Sequence, residues 1–130
     1  MVNWKAVVYG IVAAFALGIL SGVGLPFTDA TLPVVGAGVT GLIAGGVAGY
    51  VARGGLGSGA LHGFLATTIG GLLVGAVLLV VGTLAAGIFG FGAAVLFLTL
   101  VVAHGVPGAV GGAIGGIVAP KERRASQPVA

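Results

Sequence analysis

One histidine in the middle of a long apolar stretch is the residue best placed to take part in a reaction or transport step. His104 stands in the segment "AHGVPG", and none of the apolar stretches of the chain contains Asp, Glu, Lys or Arg. Ionisable side chains inside a membrane commonly have a function, and a neutral imidazole can relay protons. Pro107 removes a backbone donor, which predicts that the helix kinks or opens close to the histidine. His104, Thr67 and Thr68 are candidates for a polar site near the bilayer midplane. The alternative is a structural histidine that hydrogen-bonds to a neighbouring carbonyl or threonine.

No pattern of an enzyme active site accompanies this histidine. With two histidines, two acidic residues and no cysteine, the sequence offers no carboxylate pair, no metal-ligand cluster, no Ser-His-Asp set and no thiolate site. The segment "GAGVTG" at residues 36–41 matches a dinucleotide-binding pattern, but it lies in an apolar stretch without a preceding strand or a following acidic residue. We therefore expect no enzymatic activity, no catalytic residue, no metal and no cofactor.

The composition predicts an integral membrane protein. Of 130 residues, 58% are hydrophobic and 5% are charged, and the mean hydropathy is +1.29. Soluble domains contain roughly 25% charged residues, so this chain could not cover its surface in water. We predict an all-α transmembrane domain over residues 1–120 and a short polar tail over residues 121–130. Because a helix needs about 20 apolar residues to cross a bilayer, the domain would contain four spans, at about residues 6–24, 34–52, 63–85 and 93–119.

Charge determines the predicted orientation of these spans. Lys5, Arg53 and the "KERR" segment of the tail would lie on one side of the membrane, and the turn "LPFTDATLP" with Asp29 on the other. The excess of basic residues on the first side places both termini in the cytoplasm of a multi-pass cell-membrane protein. Nucleic-acid binding is not expected despite the net charge of +3, because the cations are dispersed along the chain beside apolar stretches.

The two halves of the chain resemble each other. The segment "YGIVAAFALGILSG" at residues 9–22 aligns with "HGFLATTIGGLLVG" at residues 62–75, and "GGVAG" at residues 45–49 aligns with "GGAIG" at residues 111–115. The order is the same in both halves, which predicts two repeated helical hairpins related by an axis along the membrane normal. Chance similarity between glycine-rich helices is the alternative.

Small residues recur every four positions in each predicted helix, which keeps them on one helical face. Lipid is as apolar as leucine, so helices in a membrane associate where small residues let their backbones approach. We therefore predict glycine-zipper packing of the four helices. The glycines expected in these contacts are Gly18, Gly22, Gly41, Gly45, Gly49, Gly71, Gly75, Gly108, Gly112 and Gly116.

Two arrangements of these glycine stripes remain open. All of them could meet inside one four-helix bundle, or some could face outward and build a homo-oligomer or dock on a larger membrane complex. The second arrangement rests on glycines that would be left over on other helical faces once the main stripes are used. They are Gly38, Gly46, Gly111 and Gly115.

Three phrases of the sequence point to a family. The opening "MVNWKAVVYG", the turn "GLPFTDATLP" and the segment "GLIAGGVAGYVARGG" together resemble small haloarchaeal multi-pass membrane proteins that are grouped as a domain of unknown function. The resemblance covers about residues 1 to 120. It implies an archaeal cell-membrane location, and it implies no activity and no site residues.

These observations predict a non-enzymatic structural or accessory subunit. Its partners would be the lipid bilayer and either further copies of itself or a larger membrane complex, reached through glycine faces. The alternative is a small homo-oligomeric channel or transporter with a midplane site near His104 and Pro107, because transporters place polar groups or unwound backbone at that depth. A water-filled lumen lined by Thr67, Thr68 and His104 would favour this alternative.

Overall fold

The described part of the chain folds into three helices. The computed structural model describes residues 1–22 and 33–120, except for the side chains of residues 21–22, 33–37, 102 and 104. The helices are α1 (Trp4–Gly22), α2 (Pro33–Ala52) and α3 (Gly55–Val118). The predicted all-α fold is confirmed for these residues. The predicted turn around Asp29 and the basic tail lie outside the described residues.

Helix α3 folds back on itself at Gly87. This residue has φ 58° and ψ −133°, a backbone conformation that residues with a Cβ atom rarely adopt. It separates a first arm (residues 55–86) from a second arm (residues 88–118). Close contacts across the two arms are placed symmetrically about Gly87, for example Gly82 with Gly90 and Gly63 with Gly108. The arms therefore lie antiparallel as a helical hairpin.

The break in this hairpin is shorter than the sequence suggested. The segment "GIFGFG" was expected to separate two helices ending near residue 85 and starting near residue 93. After its first residue, Gly55, which has φ 76°, only Gly87 within α3 departs from helical dihedral angles, and the residues on both sides of it are helical. One glycine is sufficient because it supplies the left-handed φ on which the reversal depends.

The link between α2 and α3 is also shorter than expected. The segment "RGGLGSG" was expected to be a loop, and the third helix to start near residue 63. Instead only Arg53 and Gly54 separate the helices, with Arg53 at a left-handed φ of 51° that ends α2. Glycine disfavours helix by about 1 kcal/mol per residue. Here Gly55 and Gly59 lie against the backbone of the second arm, and this packing outweighs the local preference.

Helix α3 also continues through Pro107. We expected a kink or opening there, but the dihedral angles on both sides of the proline remain helical. Gly105 and Gly108, which flank it, pack against Thr68 and Thr67 of the first arm. Prolines are tolerated in membrane helices when neighbouring helices hold the surrounding turns, and these contacts provide that support.

Helix α1 packs across α2 and the first arm through small residues. A Cβ atom on Gly10 would lie 2.6 Å from the Cβ of Ala66 and 2.8 Å from that of Ala48, so α1 touches both helices at this point. Val7 is 1% exposed and forms a buried cluster with Ala48 and Ala66. Asn3 lies beside His62 and Ile11 lies beside Gly70, so α1 runs parallel to the first arm.

Candidate functional site

The backbones of α2 and the second arm are in direct contact through glycines. A Cβ atom on Gly45 would overlap the carbonyl oxygen of Gly108 and lie 2.8 Å from its Cα. One turn later, Gly49 meets Gly112 in the same way. From the first contact to the second, the residue number rises by four on both helices, so α2 and the second arm run parallel. Such close approach brings Cα hydrogens and carbonyl oxygens of facing helices together, a weak but recurrent source of stabilisation.

The same glycines of the second arm also face the first arm. A Cβ atom on Gly112 would overlap the carbonyl oxygen of Gly59, and one on Gly116 would overlap that of Gly55. Gly63 faces the carbonyl oxygen of Gly108 in the same manner. This part of the second arm is therefore enclosed between α2 and the first arm, and no side chain larger than hydrogen fits at its glycines.

Three glycines that the sequence left without a partner also lie in this interface. A Cβ atom on Gly111 would overlap the carbonyl oxygen of Leu42, and one on Gly115 would overlap that of Gly46. These contacts place Gly46, Gly111 and Gly115 at the interface between α2 and the second arm of the same chain. Gly38 differs, because a Cβ atom there would meet nothing within 4 Å.

The other predicted packing glycines have different surroundings. A Cβ atom on Gly71 would lie 2.9 Å from a methyl group of Val101, and one on Gly75 would meet the side chain of Leu98. Side chains, rather than backbone, therefore separate the two arms at this level. Gly41 is buried, whereas Gly18 faces open space, with nothing within 4 Å of an added Cβ. The surroundings of Gly22 lie outside the described residues.

The two candidate threonines face the second arm near His104. The hydroxyl of Thr67 donates to its own helix, at 2.9 Å from the carbonyl oxygen of Gly63. The hydroxyl of Thr68 is buried and has no hydrogen-bond partner among the described atoms. A Cβ atom on Gly105 would lie 2.7 Å from that hydroxyl oxygen, so Thr68 points at the turn that contains His104. The imidazole of His104 itself lies outside the described side chains.

A second histidine forms a buried polar contact that the sequence did not reveal. His62 is 1% exposed, and its Nε2 accepts a hydrogen bond of 2.7 Å from the main-chain N–H of Asn3. Its Nδ1 lies 2.6 Å from the carbonyl oxygen of Ser58. Because a carbonyl oxygen can only accept, Nδ1 must carry the proton, and the hydrogen bonds assign a neutral imidazole. His62 thus fastens the start of α1 to the first arm.

The structure also contains an apolar cleft of about 370 Å³. Residues of α1, α2 and both arms of α3 line it, and Thr40 and Thr67 are the only polar side chains among the described lining residues. Glycines form much of its floor, including Gly18 on α1 and Gly70 on the first arm. The cleft therefore lies between the second half of α1 and the other helices.

The described residues show one helix that is long and apolar enough to cross a membrane. Within α3, an 18-residue window reaches a mean hydropathy of 2.6, and the residues Trp4–Leu20 and Gly38–Ala52 form shorter apolar helices. No group of three or more His, Cys, Asp or Glu side chains that could hold a metal ion occurs in residues 1–22 and 33–120.

Residues 4–118 match the model of DUF5518, described as a family of unknown function. Because the match covers most of the chain, the protein belongs to this family, and the expected domain of unknown function is confirmed. Comparison with curated proteins and with solved structures gave no match.

Proposed function

Since the family has no assigned activity, we propose from the geometry that this DUF5518 protein is a small integral membrane protein with a structural or accessory role. The observation that supports this most strongly is the glycine interface, in which α2 and the first arm both reach the backbone of the second arm. Such an interface suits a bilayer, where close backbone packing replaces the burial of large apolar side chains.

The exposed surface supports the membrane location. In the most apolar window of α3, only 6% of the residues are buried, which distinguishes it from the core helix of a soluble protein. Large apolar side chains such as Leu84, Ile88 and Phe89 are more than 70% exposed at the hairpin end. Each arm of α3 is about 45 Å long at 1.5 Å per residue, more than the roughly 30 Å of a hydrocarbon core.

The lengths of α1, α2 and the two arms of α3 are consistent with four crossings of the membrane, one for each of these segments. Lys5 and Arg53 then lie on the same side, together with the basic tail, and the positive-inside rule assigns that side to the cytoplasm. Both termini are cytoplasmic in this topology, and Gly87 lies at the outer surface. The resemblance to haloarchaeal proteins implies that the membrane is that of an archaeal cell.

We propose that another helix assembles at a shallow apolar groove between α2 and the second arm. Leu42, Ile43 and Tyr50 form one wall of the groove, and Ile114 and Val118 form the other. The half-buried Gly46 lies between the walls, so a helix of a second copy or of a larger complex could approach the backbone there.

A substitution in this groove tests the assembly. A Cβ atom on Gly46 would lie 3.6 Å from the carbonyl oxygen of Gly111, an ordinary contact, so Gly46→Leu can fill the groove without breaking the fold. Gly92→Leu is the matched control, since an added Cβ there meets nothing within 4 Å and the residue lies away from the groove.

The measurement is the native mass of the protein extracted into nanodiscs at its natural expression level. We expect the wild type and Gly92→Leu to retain the same partners, and Gly46→Leu to lose them. A defined homo-oligomer would identify the partner as a second copy, whereas other subunits would identify a larger complex. A monomeric wild type, or an unchanged assembly in Gly46→Leu, would contradict assembly through this groove.

A channel or transporter is the second candidate, and the buried hydroxyl of Thr68 is the observation in its favour. That hydroxyl is unpaired among the described atoms and faces the turn of His104. Proton and cation flux into liposomes would test this function. Flux that is lost in Thr68→Val and His104→Ala would support a transport path, and the absence of flux in the wild type would exclude transport of these ions.

A further inference from the structure

We propose that the cleft beside α1 binds one hydrocarbon chain of a membrane amphiphile. This inference rests on the proposed membrane location and adds a specific ligand site to it. The ligand is defined by its chain, which can belong to a bilayer phospholipid or to a free long-chain acid, and the experiment below separates these two sources.

The cleft lies beside a part of α1 that contacts the other helices less closely than the start of α1 does. At Gly10 the helix is in tight contact, and an added Cβ would lie 2.6 Å from Ala66. At Gly18, two turns and about 12 Å further along the same helix, an added Cβ would meet nothing within 4 Å. The helical face that packs so closely at one end thus borders an open space at the other.

The lining of this space is suited to hydrocarbon. Phe15 and Ile19 of α1, Val74 of the first arm and Phe97 of the second arm surround it, and none of the described lining residues is charged. The volume of about 370 Å³ falls within the range of roughly 300–1,000 Å³ that is usual for small-molecule sites.

Water is a poor occupant of the cleft. A buried water needs two to four polar partners. The described walls offer only Thr40 and Thr67, and the hydroxyl of Thr67 already donates to its own helix. An unfilled space would leave the lining side chains without dispersion partners on one side. In a bilayer, the surrounding medium that supplies such partners is the hydrocarbon chain.

Filling the cleft from within should displace the chain. Gly18→Leu adds a side chain where the structure has open space, so it can fill the cleft without a backbone collision. Gly38→Leu is the matched control, because its added Cβ also meets nothing within 4 Å and Gly38 is not among the lining residues. Thr40→Leu fills the cleft from α2 and provides a second test if Gly18→Leu does not fold.

The probes are two photoreactive amphiphiles with a diazirine in the middle of the chain, one a phosphatidylcholine and the other a free palmitic acid. Each is incorporated into nanodiscs that contain the full chain, and the cross-linked peptides are mapped by mass spectrometry. We expect labelling concentrated on the segments around Phe15 and Phe97 in the wild type and in Gly38→Leu. Labelling at these segments should fall several-fold in Gly18→Leu and Thr40→Leu.

The two probes identify the source of the chain, since preferential labelling by one of them shows whether a bilayer lipid or a free acid occupies the cleft. Labelling spread evenly over the exposed helix faces, or unchanged labelling in both filling variants, would overturn the proposal. Carbonate extraction of the same proteins is measured in parallel. Release of the wild type into the soluble fraction would contradict the membrane location itself, whereas retention with unchanged labelling would contradict only the chain site.

Discussion

His62 shows how one buried polar side chain can connect two distant parts of the chain. It joins the N–H of Asn3 to the carbonyl oxygen of Ser58, and 59 positions separate it from Asn3 in the sequence. In the sequence, His62 stands at the start of an apolar stretch and gives no sign of this contact. Its burial could not be predicted, because it depends on where α1 packs against the first arm.

The replacement His62→Leu should loosen the start of α1. It introduces an apolar side chain of similar size and leaves the N–H of Asn3 without its partner on His62. A hydrogen bond contributes about 0.5–1.5 kcal/mol net, so we expect a loss of that order in the free energy of unfolding. Hydrogen exchange at the amide of Asn3 should accelerate in the same variant.

Ser58→Ala is the control for this prediction. It removes only the hydroxyl, which lies 3.3 Å from Nδ1, and retains the carbonyl oxygen. Exchange at Asn3 should therefore remain close to that of the wild type. Equal exchange rates in His62→Leu and the wild type would show that the hydrogen bond to Asn3 does not hold α1 in place.

Among the helices, the hairpin of α3 depends on the conformation of Gly87. The added Cβ of an alanine there would meet nothing within 4 Å, so any cost of Gly87→Ala arises from the backbone rather than from a collision. Sparsely populated backbone conformations cost about 1–3 kcal/mol, and we expect Gly87→Ala to lower the free energy of unfolding by that amount.

Gly92→Ala separates this effect from the general consequence of replacing a glycine. Gly92 also faces open space, but its dihedral angles are helical. Alanine favours helix over glycine, so this variant should be neutral or stabilised by up to about 1 kcal/mol. Unfolding in a graded series of detergent mixtures measures both variants. Equal stabilities would contradict a reversal that requires a glycine.

The glycine interface gives a stronger prediction. In Gly45→Leu and Gly112→Leu, the new side chains would collide with backbone atoms, which cannot turn aside as a flexible side chain can. Overpacking in soluble cores costs about 1–3 kcal/mol, and we expect at least this loss in the free energy of unfolding of each variant. Gly38→Leu, in open space, should unfold close to the wild type. If a variant that carries both Gly45→Leu and Gly112→Leu unfolded like the wild type, this result would contradict the close packing of α2 and the second arm.

The spacing of residues in a sequence shows which of them share a helical face, but it does not show which helices that face contacts. The four-residue spacing of Gly108, Gly112 and Gly116 marks one face of a helix, and this follows from helical geometry alone. It cannot reveal that two helices approach this face together. The loop expected over residues 53–59 illustrates the same limit, because local propensity opposes a helix there and only the distant second arm favours it.

At the scale of the whole molecule, hydropathy predicted an all-helical fold, and the described residues confirm it, because hydropathy depends on the local sequence. The contacts agree with an alternation in which α1 and the first arm run one way and α2 and the second arm run the other. The two halves of the proposed repeat do not make the same contacts. Gly10 meets alanines, whereas Gly63, which aligns with it, meets glycines. The cleft was not predictable, because it depends on how α1 packs against the other helices.

The central claim is that the chain crosses the membrane four times, with both termini and the link at Arg53 in the cytoplasm. Because the native chain has no cysteine, single cysteines report on topology without background. Suitable variants are Gly57→Cys near the link, Ala86→Cys at the hairpin end and Ala130→Cys at the C-terminus, with residues 57 and 86 exposed.

The decisive measurement is labelling of these variants by a membrane-impermeant maleimide in sealed cells and again after permeabilisation. We expect only Ala86→Cys to react in sealed cells, and all three variants to react once the membrane is opened. Reaction of Gly57→Cys or Ala130→Cys in sealed cells, or protection of Ala86→Cys, would contradict the four-span topology.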